Sequence, residues 1–122
     1  YKLGASTIHI KNELNNNDYI TKEVEKNKLD NLLKNKKIGF IKIDVEGHEK
    51  NVIIGARKII KKNKPVLLVE IEEKHTQDKV VNIINFVNTF GYKSYFFDKK
   101  KLIEIKKNTN FGLKNNFIFL PS

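Results

Sequence analysis

The stretch IGFIKIDVEGHE at residues 38–49 decides the fold. Its first half is rich in β-branched and aromatic residues, so it favours a strand over residues 38–45. Side chains alternate along a strand, which puts Lys42, Asp44 and Glu46 on one side and apolar residues on the other. Gly47 permits a sharp turn, and a helical pattern begins directly after it. Ligands bind at the carboxyl ends of strands in open α/β sheets, so the stretch also predicts a site.

The remaining elements follow from periodicity and from turn residues. Residues 49–62 carry one apolar stripe with lysines opposite, as a surface helix does. Thr76 is the expected N-cap of a later helix, and Gly91 lies just past the end of that helix. The predicted elements are a hairpin over residues 3–25, helices at 27–35, 49–62 and 76–90, and strands at 38–45, 66–72, 92–97, 102–105 and 117–120.

The order of these elements predicts an α/β fold. Strands that alternate with helices form right-handed crossovers and a parallel sheet, in which strand 38–45 is central and lies next to strand 66–72. We expect a single domain over residues 1–122. Residues 1–37 contribute the hairpin and a short helix, and residues 38–122 form a βαβαβ core plus a last strand.

Composition narrows the class of protein. The 122 residues include no cysteine, which excludes disulfides and cysteine-bound metals. No apolar run approaches the roughly 18 residues of a membrane helix and no signal peptide is visible, so a cytoplasmic protein is expected, without a membrane partner. The net charge of +10 comes almost entirely from lysine, because Arg57 is the only arginine. Arginine is the preferred residue for phosphate recognition, so a solvated lysine surface is favoured over a nucleic-acid face.

Several motifs together resemble one known family. IKIDVEGHE at residues 41–49, followed by VIIGA at 52–56 and PVLLVEIEE at 65–73, is similar to the FkbM family of S-adenosylmethionine-dependent methyltransferases. LDNLL at residues 29–33 fits the LD-containing segment that precedes this strand in the family. The resemblance covers most of the chain. It implies a truncated Rossmann-like class I methyltransferase fold with a mostly parallel sheet and a final antiparallel strand.

A glycine-rich cofactor loop is missing from the sequence. No GxGxxG motif or similar loop occurs, although Rossmann-like methyltransferases carry one after their first strand. The resemblance therefore implies that about three strands of the parent sheet would precede Tyr1. We expect the chain to be the carboxyl-terminal part of such an enzyme. By itself it is expected to be inactive and to bind S-adenosylmethionine weakly or not at all.

Four residues of the central stretch are site candidates. The resemblance implies that Asp44, with its neighbour Val45, lies at the methyl-donor pocket. The structural alternative for Asp44 is a carboxylate that caps the following helix or accepts hydrogen bonds from backbone amides. Glu46 is a candidate to orient or deprotonate an acceptor hydroxyl, and the alternative is a turn carboxylate at a helix start. His48 is a third candidate base, because histidine is the residue type that most often serves as one, and the alternative is an exposed turn histidine.

Three further polar residues are predicted to lie in or near the sheet. Lys42 and Glu70 fall within apolar strands, so a buried ion pair between neighbouring strands is expected. His75 follows the end of the second strand, where it would line the same cleft. The histidines never occur at HxH or HExxH spacing, so no metal site is expected.

The function expected from this reading is S-adenosylmethionine-dependent methyl transfer to a hydroxyl of a small molecule, a glycan or a lipid. Two alternatives stay open. One is a basic nucleic-acid-binding module, which rests on charge alone, and the other is a non-catalytic oligomerising domain. Without its preceding strands, strand 38–45 would expose an apolar edge, which either the segment 3–25 or a second copy of the chain would cover. We expect a homodimer, with the hairpin at or near the interface.

Overall fold

The computed structural model describes residues 26–76 and 78–122, which form a five-stranded sheet with four helices. The predicted hairpin over residues 3–25 lies outside the described residues. The helices are α1 (Leu29–Leu32), α2 (Glu49–Gly55), α3 (Arg57–Asn63) and α4 (Val80–Asn88), and the strands are β1 (Phe40–Ile43), β2 (Val66–Glu70), β3 (Tyr92–Asp98), β4 (Lys101–Glu104) and β5 (Asn116–Pro121).

The sheet is mixed, with the strand order β1-β2-β5-β3-β4. The predicted neighbours β1 and β2 are adjacent and parallel, in a register that pairs Phe40 with Val66 and Ile43 with Val69. β5 runs antiparallel to both β2 and β3 and lies between them. A final antiparallel strand is therefore confirmed, but the expectation of a mostly parallel sheet is wrong. The physical reason is that β5 is apolar enough to occupy an interior position, where its two phenylalanines are fully buried.

β1 lies at the edge of the described sheet and not at its centre, because β2 is its one strand neighbour among residues 26–76 and 78–122. Phe40, on this strand, is 56% exposed. Open strand edges and exposed apolar side chains favour pairing with another segment. The expected homodimer across this edge stays a prediction.

The core joins the helical stripe to the inner strands. Ile53, Ala56 and Ile60 of the predicted stripe are fully buried, as are Leu67 of β2 and Phe117 of β5. Burying an aliphatic or aromatic side chain of this size stabilises the fold by about 1.5–3 kcal/mol. No described helix combines the length and apolar character needed to cross a membrane.

The predicted helix over residues 49–62 is divided into α2 and α3. The division falls at Ala56, which has φ −107° and ψ 11° and therefore leaves the helical conformation. α3 has no capping side chain of its own; instead Asp30 of α1 caps it. The N–H of Lys58 donates to Asp30 Oδ2 at 3.0 Å and the N–H of Ile59 donates to Asp30 Oδ1 at 2.9 Å. First-turn N–H groups have no partner within their own helix, so this long-range cap lets α3 begin anew.

α4 begins later than the sequence predicts. The expected N-cap Thr76 instead accepts a hydrogen bond from the N–H of Asp78 at 3.2 Å, which closes a turn ahead of the helix. The N-cap position is occupied by Lys79, which makes no capping hydrogen bond. The far end agrees with the prediction, because Gly91 follows the helix with φ 81°.

Tyr92 ties the start of β3 to the loop before β2. Its buried hydroxyl donates to the carbonyl oxygen of Pro65 at 2.8 Å. Burial raises the pKa of Tyr92 to about 12, because the phenolate would lose its hydration.

Replacing Asp30 with alanine should lower the free energy of unfolding by about 1 kcal/mol, because two first-turn N–H groups of α3 lose their acceptor. Urea unfolding of the purified chain measures the loss. Asn31→Ala is the matched control, since Asn31 lies on the same short helix and its side chain bonds only to exposed Asn27. Equal unfolding midpoints for the two variants would contradict the cap.

Tyr92→Phe should change how stability depends on pH. A raised folded-state pKa contributes stability that is fully present below the ordinary value of about 10 and is lost as pH rises toward about 12. At about pH 8 the variant should be the less stable protein, because Pro65 loses its hydrogen-bond donor. By about pH 11 the difference in free energy of unfolding between the variant and the wild type should become smaller. Urea unfolding at both pH values, with Tyr95→Phe as control, checks this, and a gap that stays constant would refute it.

Candidate functional site

The carboxyl ends of β1 and β2 meet because the two strands are parallel and in register. Ile43 ends β1 opposite Val69, so Asp44 and Glu70 emerge at the same edge of the sheet. A cavity of about 200 Å³ lies at this edge. It is lined by residues from the turn after β1, the first turn of α2 and the end of β2: Asp44, Glu46, Glu49, Glu70, Glu72, Lys74 and His75.

A strained turn carries the chain from β1 into α2. Glu46 has φ 48° and Gly47 has φ 96°, so two consecutive residues are in the left-handed region. A residue with a side chain reaches this region at a cost of about 1–2 kcal/mol, whereas glycine does so freely. The sharp turn predicted at Gly47 is therefore confirmed. A left-handed non-glycine residue at the rim of a cavity is the kind of strain that is found at functional sites.

Glu49 is the most deeply placed carboxylate of the site. Only 1% of the residue is exposed. Its Oε1 accepts a hydrogen bond from the N–H of Gly47 at 2.8 Å, which ties the strained turn to the first turn of α2. Its Oε2 is buried and accepts no hydrogen bond from the described residues. Leaving a buried carboxylate oxygen unpaired costs free energy, so a donor at this position would be favourable.

The opposite wall of the cavity is an acidic cluster held together by a single amide. The Nδ2 of Asn115 donates to Glu70 Oε1 and to Glu72 Oε1, both at 3.1 Å. Glu72 Oε2 also lies 2.8 Å from Lys74 Nζ and 3.3 Å from His75 Nδ1. The hydrogen bonds from Lys74 and Asn115 hold the pKa of the Glu72 carboxyl below its usual value.

Lys74 responds to the same carboxylates. Its hydrogen bond to Glu72 raises the pKa of the Lys74 ammonium, and the charges of Glu46 and Glu70 add to this effect. The lysine therefore stays protonated and is committed to Glu72.

Asp44 lies at the mouth of the cavity. Its side chain is 46% exposed and accepts a hydrogen bond from Lys42 Nζ at 3.3 Å. The capping role considered for Asp44 is not observed, because no side chain of residues 26–76 and 78–122 caps the start of α2. The predicted buried pair of Lys42 with Glu70 is wrong. Lys42 lies opposite Leu68, points to solvent and pairs with Asp44 along its own strand.

The structure brings together some of the predicted site residues. Asp44 and Glu46 line the cavity, and so does His75, as its position after β2 suggested. Val45 is half-buried and packs against the hydrophobic core. His48 is not among the described residues that line the cavity. The catalytic roles of Asp44, Glu46 and His48, and the cofactor contacts of Asp44 and Val45, stay predictions.

Sequence reasoning missed the acids that complete the cavity. The sequence predicts no site role for Glu49, and for Glu70 it predicts only an ion pair. Glu72 and Lys74 received no role. The available signal was the similarity of the two strand ends, since VEGHE after β1 and VEIEEK in and after β2 both turn acidic where an apolar strand finishes. Two acidic ends of adjacent parallel strands must meet at one edge of the sheet.

The chemistry open to this arrangement is that of a negatively charged cleft. Five of the seven lining residues are acidic. Such a site accepts protons or binds cations. Within residues 26–76 and 78–122, no group of three or more histidines and carboxylates is arranged to hold a metal ion. The volume of about 200 Å³ is below the range of about 300–1,000 Å³ typical of small-molecule sites, so the cavity accommodates one part of a ligand.

Comparison with known protein families gives one result for this chain. The family model described as the methyltransferase FkbM domain matches residues 2–94. The matched span includes β1, the strained turn, α2, β2 and all seven residues that line the cavity. Comparisons with curated proteins and with solved structures found no match.

Gly47→Ala should destabilise the chain by about 1–2 kcal/mol, because a Cβ disfavours a φ of 96°. Gly39→Ala is the matched control. Gly39 lies just ahead of β1, and a Cβ added there meets nothing within 4 Å. The control should be neutral or slightly stabilising. Urea unfolding of both variants is the measurement, and a Gly47→Ala protein as stable as Gly39→Ala would show that the turn relaxes without cost.

Proposed function

The chain belongs to the FkbM methyltransferase family, and we propose that it carries the acceptor side of an enzyme that methylates a hydroxyl group with S-adenosylmethionine as donor. The proposed architecture is that of a Rossmann-like methyltransferase. Three of the five strands, β1, β2 and β3, run in one direction, with helices between them, which is consistent with that proposal.

The single observation that carries the proposal is the position of Asp44. It stands one residue beyond a parallel strand, at the mouth of a cavity, and has no capping role in the described structure. A carboxylate in that position whose one described partner is the exposed Lys42 is available to accept a proton from, or to orient, an acceptor hydroxyl. Methyl transfer needs the acceptor oxygen held in line with the methyl group, so positioning by a fixed carboxylate contributes to the rate.

Glu46 is the second proposed participant. Its left-handed backbone directs the chain around the cavity, and its side chain is part of the lining. A turn that costs conformational energy is retained where the exact placement of a side chain matters. We assign Glu46 to orienting the acceptor beside Asp44. His48 stays a candidate base only if the turn rearranges when substrate binds, because it does not line the cavity as described.

The donor would supply an electrophilic methyl group on a sulfonium. The residues present fit such a group in one respect, since a sulfonium is positive and Asp44, which would lie beside it, is a partly exposed acid at the edge of the cavity. Asp44 and Val45 are the residues proposed to lie beside the donor. The cavity is too small for the whole donor, so its remaining contacts would come from elsewhere in the protein.

In the protein that carries this domain, Asp44→Asn should lower the rate of methyl transfer at least about tenfold, because an amide neither accepts a proton nor orients a hydroxyl as a carboxylate does. The melting temperature should stay nearly unchanged, since the bond from Lys42 is exposed. Transfer of a labelled methyl group measures the rate. Asp98→Asn is the matched control, because Asp98 also pairs with an exposed lysine but lies outside the cavity. Equal rates for the two variants would return Asp44 to a structural role.

A further inference from the structure

The charge inside the cavity differs in sign from that of the whole chain. The chain has a net charge of +10, yet five of the seven residues that line the cavity are acidic. Like charges gathered in one cleft repel each other, and burial makes the repulsion stronger. A neutral hydroxyl acceptor gives no reason for such a concentration of acid. A ligand with a positive charge does.

Glu49 provides an independent sign of a ligand. It is nine-tenths or more buried, it lines the cavity, and its Oε2 has no hydrogen-bond donor among the described residues. The neighbouring Gly47 N–H already occupies Oε1. A positively charged group that donates N–H bonds would satisfy Oε2.

We infer that this cavity binds a primary ammonium group carried by the methyl acceptor, so that the acceptor is an amine-bearing hydroxyl compound. The inference rests on the proposed function for the identity of the ligand as acceptor. The base of a methyl transfer must lie within hydrogen-bond reach of the acceptor hydroxyl. A cavity that contains Asp44 and Glu46 therefore also receives the part of the acceptor next to that hydroxyl.

The geometry favours an acceptor amine over the other available cations. A donor with a methionine group carries a carboxylate beside its ammonium, and the acidic walls would repel that carboxylate. A sulfonium has no N–H to donate to Glu49 Oε2. A divalent metal ion lacks a ready set of ligands among the described residues. A volume of about 200 Å³ accommodates a short alkylammonium group.

The test is a titration of the 122-residue chain in the absence of any methyl donor. Binding is monitored through the amide signal of Gly47 in ¹H–¹⁵N spectra. Gly47 reports on the site because its N–H donates to Glu49. The probe is n-propylammonium chloride, with sodium chloride at matched ionic strength as the reference. The comparison probes are n-propanol, L-methionine, trimethylsulfonium and Mg²⁺. We expect saturable shifts at Gly47 with n-propylammonium and weaker binding of every comparison probe.

Variants locate the binding within the cavity. Glu49→Gln should weaken n-propylammonium binding about tenfold, because it replaces an oxygen of the buried side chain with an amide nitrogen that cannot accept a hydrogen bond. Glu70→Gln tests the opposite wall and keeps an oxygen for Asn115, so it serves if Glu49→Gln fails to fold. Glu73→Gln is the matched control, since Glu73 is exposed and does not line the cavity. Its affinity should equal that of the wild type.

Three results would overturn the inference. One is binding of n-propanol, L-methionine, trimethylsulfonium or Mg²⁺ as tight as that of n-propylammonium. The second is a Glu70→Gln affinity equal to that of Glu73→Gln. The third is the absence of any saturable shift at Gly47. None of these measurements involves methyl transfer, so they are separate from the Asp44→Asn experiment. If the chain binds ammonium but the protein shows no methyl transfer, the cation site is supported and the proposed activity is contradicted.

Discussion

The site depends on the parallel register between β1 and β2. Pairing Ile43 with Val69 brings the ends of two apolar strands to the same edge, and each strand is followed by acidic residues. A shift of one residue would turn the buried side chains of either strand to the other face, so the core holds the register firmly. The hydrophobic interior thus imposes the proximity of the carboxylates, which would not associate on their own.

Two hydrogen-bonded anchors make that proximity tolerable. On one side, the buried Glu49 bonds to the N–H of Gly47 and fixes the strained turn onto α2. On the other side, the side-chain amide of Asn115 donates to both Glu70 and Glu72. The main-chain carbonyl oxygen of Asn115 accepts a hydrogen bond from the N–H of Ile71 at 2.7 Å. Asn115 immediately precedes β5, so the insertion of β5 beside β2 is what delivers it to the acidic wall. The antiparallel strand is therefore part of the site as well as part of the sheet.

Local sequence signals predicted the elements whose causes are local. The alternation in β1, the glycine turn and the apolar stripe of the following helix are all present where their patterns indicated. The errors have long-range causes. The division between α2 and α3 coincides with a cap from Asp30, 28 residues earlier than Lys58, and no window over the helix contains that information. The position of β5 depends on which strands need an apolar neighbour. Glu49 was undervalued because a first-turn acid usually lies in solvent, and its burial follows only from the assembled fold.

Two features at this edge of the sheet lower the stability of the folded chain. A left-handed Glu46 and an unpaired oxygen on Glu49 both cost free energy in the folded chain, and nothing in the described structure compensates the second cost. Natural proteins depart from local rules of this kind mainly at functional sites, and they compensate for the cost elsewhere. The lysine-rich surface offers no such explanation, because Lys74 is already held by Glu72 and Lys42 reaches only Asp44. The ammonium group inferred for the cavity would supply a donor to the Glu49 oxygen, and this missing hydrogen bond would make binding selective for groups with N–H donors.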